Sequence, residues 1–284
     1  MRPRELASGL SLFAARTPTL LPATHTNSYA LGGREVLLVE PATPYDDELR
    51  AWIAWARSLE GVGRTPVALF ATHYHPDHIG GVDLLARELG LPLWTHDETA
   101  RRIGPEKVTR RLAEGDQIQL DGPVPQTWRV LETPGHAWGH LCLWEPLQRT
   151  LIAGDMVASE GTIVIIPGDG DMRVYLDQLA RLRALDAALA LPAHGDPIDD
   201  PNALFDRYIA HRLARETRVL AAVEAAGAKG ASDVDLVPFA YADTNPSAWP
   251  FALFSLQAHL EKLVTDGRVR CDAGTFRTAS RQSL

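Results

Sequence analysis

A cluster of three histidines and one aspartate, directly after an apolar run, is the feature that most restricts how this chain can fold. The stretch FATHYHPDHIGG contains His73, His75, Asp77 and His78. Imidazole nitrogens and carboxylate oxygens are good ligands for Zn²⁺ and for Fe and Mn ions. At the end of a strand, His73 and His75 point to the same side, because side chains alternate. Asp77 and His78 follow in a turn and face a second point, so the string can serve two metal positions.

Three more candidate ligands lie far along the chain, each next to a glycine. They are His136 in TPGHAWGH, Asp155 in IAGD and His194 in LPAHG. We predict that each lies at the C-terminal end of a strand, where the glycine permits close approach. Polar side chains gathered from separate strand ends onto one edge are typical of an active site. We therefore predict that the fold brings these strand ends together.

Short strands alternating with helices predict an α/β domain over residues 1–202. A hairpin is predicted around Gly32 and Gly33, between SYAL and EVLLVE. Helices are predicted for DDELRAWIAWARSLEG and VDLLARELG, and strands for VALFATH, LPLWTH, DQIQL, WRVLET, HLCLWEP and TLIAGD. Helical spacing returns over residues 172–190, and LPAHGDPI follows as a loop.

The pattern changes from residue 203 onward. A long helix containing HRLARE precedes two shorter helical stretches, DVDLVPFAY and PFALFSLQAHLEKLVTDG. RVRCDAGTFRT then predicts a β-hairpin with a turn at DAG. Helix–helix–helix–hairpin is the outline of a winged-helix unit, so residues 203–284 are predicted to form a linking helix plus a winged-helix-like domain.

Composition limits the classes of partner and compartment. The 284 residues carry a formal net charge of -8, which argues against a broad surface for phosphates. The two cysteines, Cys142 and Cys271, form no CxxC pair, so we expect no disulfide framework and a reducing compartment. No run approaches the roughly 20 apolar residues that span a bilayer. We expect a cytoplasmic protein without a membrane partner.

The string HxHxDH, followed in order by His136, Asp155 and His194, resembles the metallo-β-lactamase superfamily. The resemblance implies an αββα sandwich, an α/β (α+β) fold with two metals at one edge of the sheets. It implies His73, His75 and His136 on the first metal, Asp77, His78 and His194 on the second, and Asp155 as the bridge between them. It also implies that His140 supports a ligand without binding a metal.

The second half of the chain narrows the resemblance. SEGTIVIIP, the HRLARE helix and the winged-helix-like end resemble the group of mitochondrial lactamase-like endoribonucleases and fungal polyketide thioesterases. One position departs from the pattern. Many members close an early strand with an aspartate that supports the site, whereas this chain has Glu40 in LLVEP. The effect of Glu40 on that support is left open by the sequence.

We expect an enzyme, a dinuclear metal-dependent hydrolase. Two divalent cations, expected to be zinc, lower the pKa of a shared water, and Asp77 orients the resulting hydroxide for attack on a carbonyl or phosphorus. Cys142 is not a competing nucleophile, because it lies in an apolar strand pattern. Four residues are either cleft-lining or ordinary loop residues: Tyr74, Ser159, Glu160 and Thr162.

Two substrate classes fit the sequence. An ester or thioester of a small molecule fits the acidic chain, since it needs no basic groove. Single-stranded RNA cleavage is the alternative, and it draws on four arginines of one helix: Arg207, Arg212, Arg215 and Arg218. Those arginines also fit a solvated face paired with Asp206 and Glu216. The third helix of the winged-helix segment has a single lysine, Lys262, so duplex DNA is not expected.

Two further classes use the same residues differently. A mononuclear iron oxygenase would take two histidines and the aspartate. A winged-helix DNA-binding regulator would carry the first domain as a relic, although its ligand set is intact. The sequence leaves a homodimer open.

Overall fold

The computed structural model describes residues 3–279, so the outermost positions of both predicted domains, 1–2 and 280–284, lie outside the described residues. The chain forms two compact units. The first comprises Met1–Pro134, Trp138–Ile163 and Leu185–Asn202; the second comprises Gly135–Ala137, Val164–Ala184 and Ala203–Leu284. The domain boundary between residues 202 and 203 stays a prediction.

The first unit contains a seven-stranded sheet in which the strands follow chain order. The strands are β1 (Arg4–Ala7), β2 (Leu10–Arg16), β3 (His25–Leu31), β4 (Glu35–Val39), β5 (Thr65–Phe70), β6 (Leu93–His96) and β7 (Val108–Leu112). β1 to β4 pair antiparallel, and β4 to β7 pair parallel. The predicted hairpin at Gly32 and Gly33 is confirmed as β3–β4.

Helices cover one face of this sheet. They are α1 (Asp46–Glu60), α2 (Pro76–Ile79), α3 (Val82–Leu89) and α4 (Asp97–Ile103). α1 and α3 bury their apolar residues against the sheet, and Trp52 at the centre donates its indole N–H to Ser28 Oγ at 2.8 Å. The turn predicted for Asp77 and His78 is the single-turn helix α2, which begins at Pro76 because proline suits a first helical position.

A second, five-stranded sheet completes the first unit. Its strands are β8 (Gln117–Leu120), β9 (Gln126–Glu132), β10 (Leu141–Glu145), β11 (Thr150–Gly154) and β12 (Leu189–Pro192), in the order β12-β11-β10-β9-β8. Leucines, valines and aromatic residues of both sheets form one buried cluster, including Tyr29, Phe70, Trp128 and Leu143. The two sheets therefore pack face to face, and the α/β prediction is confirmed.

The helix predicted over residues 172–190 is too long. Helix α5 (Met172–Arg183) ends early, and Leu189–Pro192 forms strand β12 parallel to β11. Asp186 has a φ of 54°, which a helix does not tolerate, and its carbonyl accepts a 2.7 Å hydrogen bond from Arg149 Nε. A short apolar run such as LALP fits a buried strand as well as a helix, so spacing alone could not separate them.

The second unit is mainly helical. With α5 it contains α6 (Pro201–Ala225), most of which lies in this unit, α7 (Asp233–Ala240), α8 (Trp249–Thr265), β13 (Val269–Asp272) and β14 (Thr275–Thr278). β13 and β14 pair antiparallel around Ala273 and Gly274, both at positive φ, as the DAG turn predicts. An apolar cluster that includes Val223, Leu236, Leu256 and Val269 joins the helices to the hairpin. The predicted helix–helix–helix–hairpin order is confirmed.

Helix α6 does not present its arginines as a basic face. Arg212 and Arg215 are buried, and both Arg215 and Arg218 pair with Asp243. For Arg215 and Arg218 the predicted partners were wrong, because Asp206 pairs with Arg183 and Glu216 pairs with Lys262 and Arg268. Side chains from distant parts of the chain supply these charges, which helical spacing could not reveal. Within residues 3–279, no helix combines the length and apolarity needed to cross a bilayer.

His259 of α8 is fully buried beside cations of the same unit. Among the described residues, neither of its ring nitrogens has a hydrogen-bond partner. Burial, followed by the charges of Arg212, Lys262, Arg215 and His211, lowers the pKa of His259 to about 3. The ring is therefore neutral in the folded chain, whereas in the unfolded chain it gains a proton below its ordinary pKa.

We predict that replacing His259 by Leu makes the fold less sensitive to acid. The unfolded state binds a proton below about pH 6.5 and the folded state only near pH 3, so stability falls as the pH drops between these values. From about pH 7.5 to about pH 5, H259L should lose about 2 kcal/mol less free energy of unfolding than the parent. Urea unfolding of both proteins at each pH measures this, because other titrations are common to both. An equal loss in the two proteins would contradict the assignment.

Candidate metal centre

The candidate ligands of the first unit follow strand ends. His73 lies three residues after β5, and Asp155 directly follows β11. His194 lies two residues after β12, the strand that pairs with β11. The carboxyl ends of parallel strands meet at one edge of a sheet, so Asp155 and His194 are brought together from residues distant in sequence.

Two groups of side chains in this unit are close enough to share an ion. One consists of His73, His78 and Asp155, and the other consists of Asp77, His78 and His194. Within each group, one ligand atom from every residue lies within 4.8 Å of the others. His78 belongs to both groups, which places two candidate ion positions side by side.

The histidines are held so that one nitrogen remains for an ion. His73 donates Nδ1–H to Thr72 Oγ1 at 2.9 Å, His78 donates Nδ1–H to Glu40 Oε1 at 3.1 Å, and His194 donates Nδ1–H to the His25 carbonyl at 3.0 Å. These roles follow from the acceptors available in the network. Each ring therefore directs Nε2 toward the candidate ion positions, the arrangement common to metal-binding histidines.

The donor atoms fit a divalent cation. Nε2 of His78 is buried without a hydrogen-bond partner among the described residues, 3.6 Å from Asp155 Oδ1 and 3.8 Å from Asp77 Oδ1. His73 Nε2 and His75 Nδ1 lie 2.9 Å apart, near the roughly 3.3 Å that two nitrogens span on a tetrahedral zinc ion. A buried nitrogen facing two carboxylates is satisfied by a cation between them.

Glu40 supports this arrangement, which the sequence had left open. Its carboxylate is buried; Oε1 accepts from Thr72 Oγ1 at 2.6 Å, and Oε2 accepts from the Thr72 N–H at 3.3 Å. Because Oε1 also accepts from His78, one carboxylate orients His78 directly and His73 through Thr72. The sequence interpretation missed Thr72, although a hydroxyl residue directly before the first histidine of the motif is a usable signal.

Opposite charges shift the pKa values of His78, Asp155 and His194. Burial lowers the pKa of His78, but the carboxylates of Asp155, Glu40 and Asp77 outweigh it and raise that pKa well above its ordinary value. Burial raises the pKa of Asp155, but His194 and His78 bring it well below its ordinary value. The pKa of His194 is raised because Asp155 outweighs burial. The Asp155 carboxylate therefore stays ionised and can bind a cation.

His140 holds the backbone of Asp155. Its Nε2 accepts the Asp155 N–H at 3.1 Å, and its Nδ1 donates to Thr133 Oγ1 at 2.8 Å. Gly154 permits this contact: a Cβ there would lie 2.5 Å from His140 Nε2, and its φ is 49°. His140 thus acts on a candidate ligand through a hydrogen bond.

His136 lies in the second unit, in the short segment Gly135–Ala137. Its ring is buried, and Nδ1 donates to the Val164 carbonyl at 3.0 Å. Nε2 is therefore the nitrogen that would bind an ion, as in the other histidines. Its role as a ligand of the first metal stays a prediction.

The four remaining candidates occupy different places. Ser159 and Glu160 line a cavity of about 570 Å³ in the first unit. Thr162 is exposed and does not line it. Tyr74 is half-buried, with the guanidinium of Arg102 4.2 Å from its ring centre. His25, which the sequence analysis did not single out, lines the same cavity, and its carbonyl accepts a hydrogen bond from His194.

We predict that Glu40→Gln lowers metal affinity about 10- to 100-fold. In either orientation the new amide sets an NH₂ group against the His78 ring or the Thr72 N–H, where a carboxylate oxygen accepts now. Competition with a chromogenic chelator measures the affinity. The matched control is Glu60→Gln, an exposed residue at the end of α1. Unchanged affinity in E40Q would show that Glu40 does not position the ligands.

Comparison with known families agrees with this geometry. The family model described as the metallo-beta-lactamase superfamily matches residues 21–194, and that of the beta-lactamase associated winged helix domain matches residues 234–277. The chain is 28% identical over 273 residues to a beta-lactamase-like protein 2 homolog of Caenorhabditis elegans, covering 93% of this chain and 87% of that protein.

Two fungal proteins are similar over a shorter stretch. Lactamase-like protein adaB of Aspergillus niger is 32% identical over 72% of this chain, and thioesterase pkgB of Emericella nidulans is 29% identical over 76%. The matches cover 60% and 61% of these proteins, less than two thirds of their length.

Solved structures share the fold. A beta-lactamase domain protein from Burkholderia ambifaria matches with a TM-score of 0.80 at 24% identity, covering 98% of this chain and 93% of that one. A metallo-beta-lactamase family protein from Thermus thermophilus matches with a TM-score of 0.76 at 24% identity, covering 96% and 100%. The fold class predicted from the sequence is confirmed. The chain is thus a member of the metallo-β-lactamase superfamily, a group generally made up of hydrolases, with a C-terminal β-lactamase-associated winged-helix domain.

Proposed function

We propose that this chain is a hydrolase that uses two divalent metal ions, zinc, to cleave an ester or thioester of a small molecule. The observation that carries the proposal is the pair of ligand groups that share His78. Nitrogen and carboxylate donors in adjacent groups of three suit the two-metal sites of hydrolytic enzymes.

The proposed ligands are those that the family resemblance implies. His73, His75 and His136 would hold the first ion, Asp77, His78 and His194 would hold the second, and Asp155 would contribute to both. The group of Asp77, His78 and His194 supports the second set. The contact of Asp155 with His73 and His78 supports a bridge, because these two residues belong to different sets.

Bound cations supply Lewis acidity: they stabilise developing negative charge and lower the pKa of a water molecule. The chain's own residues position the reaction. Asp77 is the more exposed of the two carboxylates, and its Oδ2 lies 3.5 Å from His194 Nε2. We propose that Asp77 orients the attacking water and accepts its proton. Glu40 and His140 keep the ligands in place through the hydrogen bonds described above.

A small ester or thioester is the substrate class favoured by two observations. The similar Emericella protein is named a thioesterase. Of the α6 arginines that argued for RNA, Arg212 and Arg215 are buried, and Arg215 and Arg218 pair with Asp243, which weakens the case for a basic groove on that helix. Single-stranded RNA is kept in the substrate panel as the competing outcome.

We predict that Asp77→Ala and His136→Ala each reduce kcat/KM by about 10³-fold or more and lower the bound metal, with the fold retained. Metal content, circular dichroism and thioester hydrolysis measure the three effects. Asp83→Ala is the matched control for the first variant, since Asp83 is an exposed carboxylate whose surface pair with Lys107 contributes little.

Removal of metal by a chelator should abolish hydrolysis, and added Zn²⁺ should restore it. Full activity in both D77A and H136A would defeat the proposed centre. One iron per chain with oxygen consumption would instead indicate a mononuclear oxygenase. Cleavage of single-stranded RNA without thioester hydrolysis would replace the substrate class.

A further inference from the structure

The cavity lined by Ser159 and Glu160 is also lined by Gly195, the residue that directly follows the candidate ligand His194. Its volume of about 570 Å³ lies within the range typical of small-molecule sites. Leu12 and Ala14, from one side of β2, supply apolar surface, and His25 of β3 lines it as well. All of the residues that line it belong to the first unit.

Hydrogen bonds connect the cavity wall to His194. The His194 ring donates to the His25 carbonyl, and the Ser159 N–H donates to the His194 carbonyl at 3.2 Å. Gly195 makes the close approach possible, since a Cβ there would lie 2.3 Å from Ser159 Oγ. Two residues that line the cavity, His25 and Gly195, therefore lie directly beside this candidate ligand.

The loop between β2 and β3 adds apolar surface beside the same wall. Pro22 of this loop lies against Gly161, where a Cβ would be 3.3 Å from the proline Cδ. The two preceding residues, Leu20 and Leu21, are 50% and 84% exposed. Exposed leucines on a loop next to a half-apolar cavity suit a hydrocarbon chain better than a sugar or phosphate.

The charges at the cavity are unequal. One arginine and two carboxylates line it: Arg4, Glu160 and Asp196. Arg4 lies 3.6 Å from Asp196 and offsets its charge. Among the residues that line the cavity, Arg4 is the only arginine or lysine and it pairs with Asp196, so no cation of the lining offsets the carboxylate of Glu160. A negative group on the substrate is repelled there.

We propose that this cavity receives the acyl group of the substrate and that Glu160 selects uncharged acyl chains over chains that end in a carboxylate. This inference rests on the proposed function and specifies its substrate class. Glu160 acts through charge on substrate binding, so it determines specificity and takes no part in bond cleavage.

Two thioesters of the same chain length test the proposal. Hexanoyl and adipoyl N-acetylcysteamine share the leaving group and differ only in a terminal methyl group or carboxylate. The parent chain should prefer the hexanoyl thioester by about tenfold or more in kcat/KM. In Glu160→Gln the ratio should shrink severalfold, mainly through a lower KM for the adipoyl thioester. In Glu160→Lys the preference should reverse.

Glu60→Gln is the matched control, because it removes an exposed carboxylate of the same unit away from the cavity and should leave the ratio unchanged. Metal-dependent hydrolysis of both thioesters with equal kcat/KM, or a ratio that does not change in E160Q and E160K, would overturn the inference and leave the proposed function standing. Hydrolysis of neither thioester by the metal-loaded parent would overturn the proposed function, and this inference with it.

Discussion

The buried carboxylate of Glu40 is the interaction on which the candidate site most depends. A charge removed from water is costly unless hydrogen bonds satisfy it, and here Thr72 and His78 supply three. Glu40 also has a φ of 58°, a conformation that non-glycine residues rarely adopt. Such strain persists where the surroundings over-determine the backbone. The Glu40 side chain thus orients two histidines that would bind different ions. Glutamate is longer than the aspartate that is common at this position.

The rest of the site depends on how the two sheets present their strand ends. β4 and β5 deliver Glu40 and the histidine string from the first sheet, and β11 and β12 deliver Asp155 and His194 from the second. The shared apolar cluster keeps these sheets face to face. Contacts permitted by Gly154 and Gly195 then let His140 reach the Asp155 backbone and let the Ser159 loop lie beside His194. Packing and site are therefore coupled, because a shift between the sheets would separate the ligands.

Much of the fold could be predicted from local pattern. The β3–β4 hairpin, helices α1 and α3 and the winged-helix order all follow from periodicity and turn residues that act within a few positions. The secondary-structure prediction failed where a helix and a strand have the same local sequence pattern. LALP reads equally as helix or strand, and only its pairing with β11 decides. The partners of the α6 arginines were wrong for a similar reason, since Asp243 is distant in sequence.

The sequence by itself determined the chemistry that this protein can host, because the ligand types, their order and the HxHxDH spacing are local properties of the chain. Tertiary structure decided how that chemistry is supported. Only folding brings Glu40 to His78, His140 to the Asp155 backbone and His25 to His194. These contacts join residues whose separation along the chain carries no periodic signal, so they become visible only when the strand ends meet. The cavity beside His194, with its uncompensated carboxylate, is decided in the same way.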